Sequence, residues 1–161
     1  MSAPSASTRK QDDLPQKAVE RLKKIFAKSE LAAFLGVEVA LIERDHVVMK
    51  MACQPQVMNA NGTINGGAMA TLLDNATAAA AWTTPEAKET TRGTTVALHV
   101  NFIGVPKQGG AVADARVISR GGTLVVVDVI CHDEGGNLLA KGQATYKLDL
   151  ARDRRLAQSA T

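Results

Sequence analysis

"NANGTINGGAMATLLDNATAAAAW", residues 59–82, is the stretch on which the reading of this chain turns. A loop of Asn and Gly leads into Gly66-Gly67, and an alanine-rich segment follows. Ala68, Met69, Ala70, Leu72, Leu73, Ala76, Ala78, Ala79, Ala80 and Ala81 place apolar groups on nearly every side of a helix. Such a helix is buried on most sides, and its many alanines let neighbouring backbones come close. The spacing predicts one long helix from about Asn65 to Trp82. A single carboxylate, Asp74, stands in its middle. Removing an unpartnered carboxylate from water is costly, so Asp74 requires a structural or functional reason.

The segments on either side suggest what surrounds this helix. Upstream, Val19, Leu22, Ile25 and Phe26 recur at helical spacing after Pro15. "SELAAFLG" predicts a short second helix, with Ser29 as N-cap and Gly36 just past its end. Val37–Glu43 and His46–Cys53 read as strands turning at Arg44-Asp45. Downstream come "TTVALHVNFI", with Val96, Leu98, Val100 and Phe102 expected on one face, then "AVADARVIS", "TLVVVDVICHD" and "LLAKGQATYKL". Gly109-Gly110, Gly121-Gly122 and Gly135-Gly136 mark the turns between them. In the last segment Lys141, Gln143, Thr145 and Lys147 alternate with Ala140, Gly142, Ala144 and Tyr146, the pattern of a half-exposed antiparallel strand. The expected class is α+β: a strongly curved antiparallel sheet wrapped around one long helix, preceded by a helical segment.

Composition narrows the function. The 161 residues suit one domain of the usual 100–200 or so. We expect it to span residues 14–148, between a disordered tail at 1–13 and a charged tail at 149–161. Aromatics make up 3% of the chain, so the core must be Val, Leu, Ile, Ala and Met. The net charge of +3 reads as an ordinary solvated surface. Basic residues interleaved with stacking aromatics are absent, which argues against nucleic acid. No apolar run approaches the ~20 residues of a membrane span, and "MSAPSASTRKQDDLPQK" lacks a signal-peptide core. The expectation is a soluble, cytoplasmic protein. Cys53 and Cys131 lack metal-ligand or redox spacing and read as reduced core cysteines.

A helix start presents unpaired N–H groups and partial positive charge. With Gly66 and Gly67 there, a carbonyl oxygen can approach closely and develop negative charge. Asp74 then reads as general base or nucleophile, or as a hydrogen-bonded structural Asp. It lies eight residues beyond Gly66, about 12 Å along the axis at ~1.5 Å per residue. One reacting carbonyl cannot touch both in a single helix. An enzyme reading therefore predicts a two-fold dimer whose sites are shared between chains.

At this point N-x-x-G-T-x-x-G-G-x-x-x-x-L-x-D, beginning at Asn59, resembles the central-helix motif of the hotdog-fold acyl-CoA thioesterases, in particular the phenylacetate-degradation (PaaI-like) type. The resemblance runs from about Leu35 to Leu148 and includes the closing pattern Gly136, Leu138, Ala140, Gly142, Tyr146. It implies a homodimer or dimer of dimers, a homotetramer, hydrolysing an acyl-CoA to acid and CoA without metal or cofactor. Carried over by motif, Asp74 falls on the catalytic carboxylate and Gly66 on the residue whose N–H polarises the carbonyl. Asn59 falls on a residue holding the water, and Thr95 where relatives carry Ser or Thr near it. Asn65 stands where relatives carry His beside the thioester sulfur, and with Gly67 it is a substrate-binding candidate. Asn donates a hydrogen bond but no proton at neutral pH; a thiolate is a good enough leaving group to depart without one. Asn65 also suits a helix N-cap.

Other residues carry less. His46, His99 and His132 show no paired spacing with a carboxylate, so a hotdog dehydratase, which would want such a pair, is disfavoured. The Gly-x-Ser-x-Gly elbow of serine hydrolases is absent. Arg92, Lys107, Arg120 and Lys141 are conceivable nucleotide contacts, and Trp82 reads as packing. Met69, Leu73 and "VMNANG" are the expected acyl-pocket lining. The alternative to the enzyme is a non-catalytic hotdog module that binds acyl-CoA.

Overall fold

The computed structural model describes residues 14–106 and 109–150. Two short helices come first, α1 (Gln16–Phe26) and α2 (Glu30–Phe34). The hairpin β1 (Val37–Glu43) and β2 (His46–Met51) follows, then the long helix α3 (Gly66–Ala81). Four strands complete the chain: β3 (Gly93–Phe102), β4 (Ala111–Arg120), β5 (Leu124–Asp133) and β6 (Leu138–Leu148). All six strands form one curved antiparallel sheet in the order β1-β2-β4-β5-β6-β3. The expected class is the one observed. Cys53 lies beyond the end of β2 rather than within it. The tail readings fall mostly outside the described residues; within them, the Asp149 N–H donates to Arg92 O at 2.9 Å and Leu150 packs against the core.

The sheet's inner face is small where the helix crosses it. Val47, Ala115, Val129, Gly142 and Val100 lie in successive register across five strands. Ala111, Ala113 and Ala115 of β4 are fully buried, as are Val125, Val127 and Val129 of β5. On the helix, Met69, Leu72, Leu73, Ala76, Ala79 and Ala80 are buried against them. Burying each Leu or Met side chain contributes roughly 1.5–3 kcal/mol, so these contacts hold α3 in place. This placement corrects the expected pocket: Met69 and Leu73 face the sheet and are core.

Each end of α3 carries a side-chain cap. Asn65 caps the start, its Oδ1 accepting from the Gly67 N–H at 2.7 Å. At the other end Arg120 donates to the carbonyls of Ala81 (2.8 Å) and Ala80 (3.3 Å) and to Asp45 Oδ1 (2.6 Å). A guanidinium suits this place, because the last carbonyls of a helix are unpaired and carry its negative end. Arg120 is thus a structural cap and not a nucleotide contact.

Candidate active site

Asp74 is half-buried, and the reason lies in the face of α3 it occupies. Gly67, Thr71, Asp74 and Ala78 follow one another at helical spacing along a stripe that the sheet does not cover. The helix is therefore less enclosed than its composition predicts. Asp74 keeps partial access to water, and its Oδ1 accepts a hydrogen bond from Thr95 Oγ1 at 2.7 Å.

Simple alternation in β3 predicts the opposite orientation for Thr95. The pairing with β6 runs Phe102↔Ala140, Val100↔Gly142, Leu98↔Ala144, Ala97↔Thr145 and then Thr95↔Tyr146. Val96 is the extra residue of a β-bulge, which re-aims the side chains beyond it. Residues paired across an antiparallel ladder share a face, so Thr95 joins Tyr146 on the side of α3. Val96, expected on that face, is turned outward and is 58% exposed.

Tyr146 and Trp82 close this end of the site. Trp82 Nε1 donates to the Tyr146 hydroxyl at 2.9 Å. Burial holds the Tyr146 phenol above its ordinary pKa; the Trp82 bond opposes this and the charge of Asp74 adds to it. Gly93 makes room, since a Cβ there would lie 2.6 Å from Tyr146 Cε1. The strand pattern of β6 placed Tyr146 inward, but nothing in the sequence paired it with Trp82.

The helix start forms a second cluster. The loop before it is a small closed turn: Asn65 N–H donates to Val57 O and Asn59 N–H to Thr63 O, both at 2.8 Å. Asn59 organises this turn, its Oδ1 accepting from the N–H groups of Asn61 (2.9 Å) and Thr63 (3.2 Å). Its Nδ2 donates to Thr63 Oγ1 at 2.9 Å, leaving one amide hydrogen. The Gly67 N–H is committed to Asn65, so Gly67 contributes space rather than a donor. Gly66, at the first helical position, has no intrahelical acceptor for its N–H and is exposed. The Phe102 ring lies 3.7 Å from where a Gly66 Cβ would stand.

The structure thus brings Asp74 together with Thr95, and Gly66, Gly67, Asn65 and Asn59 together with one another. Within one protomer the two groups remain at opposite ends of two helical turns. Strand β3 touches both, through Thr95 near its start and Phe102 at its end.

The remaining candidates sit elsewhere. His46 does have carboxylate neighbours, Asp114 Oδ1 at 3.1 Å from Nε2 and Glu43 Oε2 at 3.3 Å from Nδ1. Asp114 lies on the sheet face opposite α3, so this pair is remote from Asp74. Cys131 is a buried free thiol that burial pushes up to about 12; Cys53 is free and half-buried. Lys107 lies outside the described residues. Among the described residues no helix is long and apolar enough to cross a membrane.

Comparison with known proteins agrees with this fold. The family model described as the thioesterase superfamily matches residues 61–140, from the turn before α3 into β6. A Saccharolobus solfataricus protein, named only provisionally as an esterase, is 30% identical over 82% of this chain and 86% of its own length. Human acyl-coenzyme A thioesterase 13 is 31% identical over 63% of this chain and 72% of its own. Among solved structures, the PaaI protein of the E. coli phenylacetic acid degradation operon superposes with a TM-score of 0.74 at 20% identity, over 83% of this chain and 94% of that one. A thioesterase family protein from Silicibacter pomeroyi gives 0.75 at 23% identity, over 81% and 97%. A carboxylate on a helix wrapped by a curved sheet, in a chain that matches these relatives over most of its length, makes this protein a member of the thioesterase superfamily with the hotdog fold.

Proposed function

We propose that the protein hydrolyses an acyl-CoA thioester to the free acid and CoA, at sites shared across a two-fold dimer. The observation that carries this reading is the Asp74–Thr95 pair, an oriented carboxylate on an otherwise apolar helix. With Oδ1 held by Thr95, Oδ2 is the basic oxygen. It takes a proton from water as that water attacks the thioester carbonyl. The Gly66 N–H of the partner subunit stabilises the oxyanion that develops. The tetrahedral intermediate then collapses, breaking the C–S bond and expelling CoA thiolate. Asn65 has Oδ1 committed to its cap, so its Nδ2 is the group that donates toward the sulfur. The free amide hydrogen of Asn59 helps hold the water. The name of the human relative supports acyl-CoA as substrate.

The sharing follows from β3. It is an edge strand; Val96 (58%) and Phe102 (55%) are exposed on it, and Ile103 (56%) and Val105 (60%) in the segment just after it. A long apolar edge of this kind invites pairing with another chain. Antiparallel pairing of β3 with its copy sets Thr95 of one chain toward Phe102 of the other. Asp74 then faces the partner's Gly66, and both sites are completed at once.

The test is thiol release from acyl-CoAs of varied length and aromaticity, with Asp74→Asn and Gly66→Pro alongside. Turnover of at least one thioester, lost in both variants, supports the reading. A wild-type protein that binds CoA esters and hydrolyses none would instead be a binding module.

A further inference from the structure

The two edges of the sheet differ in charge. At one edge β1 exposes Glu38 and Glu43, the kind of charge that discourages pairing with another chain. At the other edge β3 holds no Lys, Arg, Asp or Glu between Gly93 and Phe102. Its one ionisable side chain is His99, which is exposed. An open, uncharged edge suits a second copy of this chain, and the bulge at Val96 decides how the two copies line up.

Pairing with β6 sorts the side chains of β3 by face. Leu98, Val100 and Phe102 pair with Ala144, Gly142 and Ala140. Ala144 and Ala140 are fully buried, so these three lie with Thr95 on the side of α3. Ala97, His99 and Asn101 pair with Thr145, Gln143 and Lys141 on the outer face. From one end, Thr95, Ala97, Leu98 and His99 alternate between the faces, with Val96 as the extra residue. From the other end, Phe102, Asn101, Val100 and His99 alternate in the same way. His99 is the fourth residue in both directions. An antiparallel pair that sets Thr95 opposite Phe102 of the partner subunit therefore sets His99 opposite its own copy, on the two-fold axis.

We infer that the His99 side chains of two protomers face each other across the dimer axis, and that charging them weakens the dimer in acid. The register rests on the proposed sharing of the site; the contact itself lies on the outer sheet face, away from Asp74. Opposed residues of an antiparallel pair have Cβ atoms about 4.5–5.5 Å apart, and like charges there are destabilising. Imidazole is the side chain that ordinarily gains its charge between pH 8 and pH 5. Within its own sheet His99 is flanked by Ala97, Asn101, Thr145, Gln143 and Lys141, none of them acidic. The Asp128 carboxylate stands one strand beyond Gln143 and accepts from its Nε2 at 2.8 Å. That is about 10 Å from His99 at ~4.8 Å per strand. None of these groups neutralises the pair, and Lys141 adds to the repulsion.

Cysteines read the contact directly. Opposed Cα atoms lie about 4.5–5.5 Å apart, within the span of a disulfide. Under oxidised glutathione, His99→Cys should give a disulfide-linked dimer on a non-reducing gel. The wild type, with its free Cys53 and Cys131, should not. Ala97→Cys and Asn101→Cys should each stay unlinked alone, since the two copies of either residue stand about 14 Å apart along the strands. They should link when the two proteins are mixed. Sedimentation gives the second reading. The dimer Kd should rise about fivefold from pH 7.5 to pH 5.5, and His99→Gln should abolish the rise. Failure of His99→Cys to link beyond the wild-type level overturns the contact. A Kd indifferent to pH, or a rise that survives in His99→Gln, overturns the switch. If His99→Cys links and no thioester is hydrolysed, the contact stands and the catalytic reading falls. If thioesters are hydrolysed and His99→Cys stays unlinked, the His99 contact falls alone.

Discussion

Replacing Asp74 by Asn keeps the side chain's size and its acceptor for Thr95, but removes the proposed base. General-base catalysis contributes about 10²–10⁴-fold, so kcat should fall within that range while the protein keeps its thermal midpoint. Thr95→Val removes a hydrogen bond to a charged group, worth about 1.5–3 kcal/mol, and should cost roughly tenfold or more in kcat; Thr95→Ser should restore most of it. Steady-state thiol release checks both. Asp74 was visible in the sequence because a lone carboxylate interrupts an apolar helix. Thr95 was a candidate from the resemblance alone, as a residue near the water, and its bond to Asp74 was not foreseen; plain alternation turns the side chain away. One extra residue, Val96, reverses the face, and nothing in "GTTVALHVNF" marks where a bulge falls.

The elements themselves make sharper tests of the helix start. Gly66 occupies the first helical position, where Pro is well tolerated. Asn65 before it is extended, with φ −64° and ψ 136°, as a residue preceding Pro must be. Gly66→Pro therefore deletes one N–H with little cost to the fold. We expect a loss of about 10²–10³-fold in kcat, as for an oxyanion-hole donor, with circular dichroism unchanged. At the other end, Arg120→Ala unties the final carbonyls of α3 and Asp45 together. It should destabilise the protein by about 1–3 kcal/mol, measured by urea unfolding. The helix, its Asn65 cap and the six strands were legible from periodicity and turn residues. Arg120 as a C-cap was not, because it reaches α3 from a strand distant in sequence.

For the whole molecule, the proposed sharing of sites makes a counting prediction. On the proposed mechanism, Asp74→Asn and Gly66→Pro protomers should each have little activity alone. In a mixed dimer one site collects both defects and the other is wild type. Refolding the two together in equal amounts should restore about a quarter of wild-type activity, since half the dimers are mixed and each has one good site. Sites confined to one chain would restore none. Stability should also fall on the alkaline side. The Cys131 thiol ionises near 9.0 when unfolded and at about 12 when folded. Across that window the unfolded chain has lost a proton the native state retains, so stability decreases as pH rises. Urea unfolding at pH 8 and pH 10 should show the loss, and Cys131→Ala should reduce it.

Fold class, element order and the candidates Asp74 and Gly66 could all be read from the residues in order. They depend on periodicity, capping and composition, which are local properties of the chain. Which side of α3 stays uncovered, which way Thr95 points, and what ties Arg120, Trp82 and Tyr146 in place were decided only by the packed sheet. Those depend on strand order and on a bulge, and so on contacts between segments far apart in sequence, where local patterning has no reach.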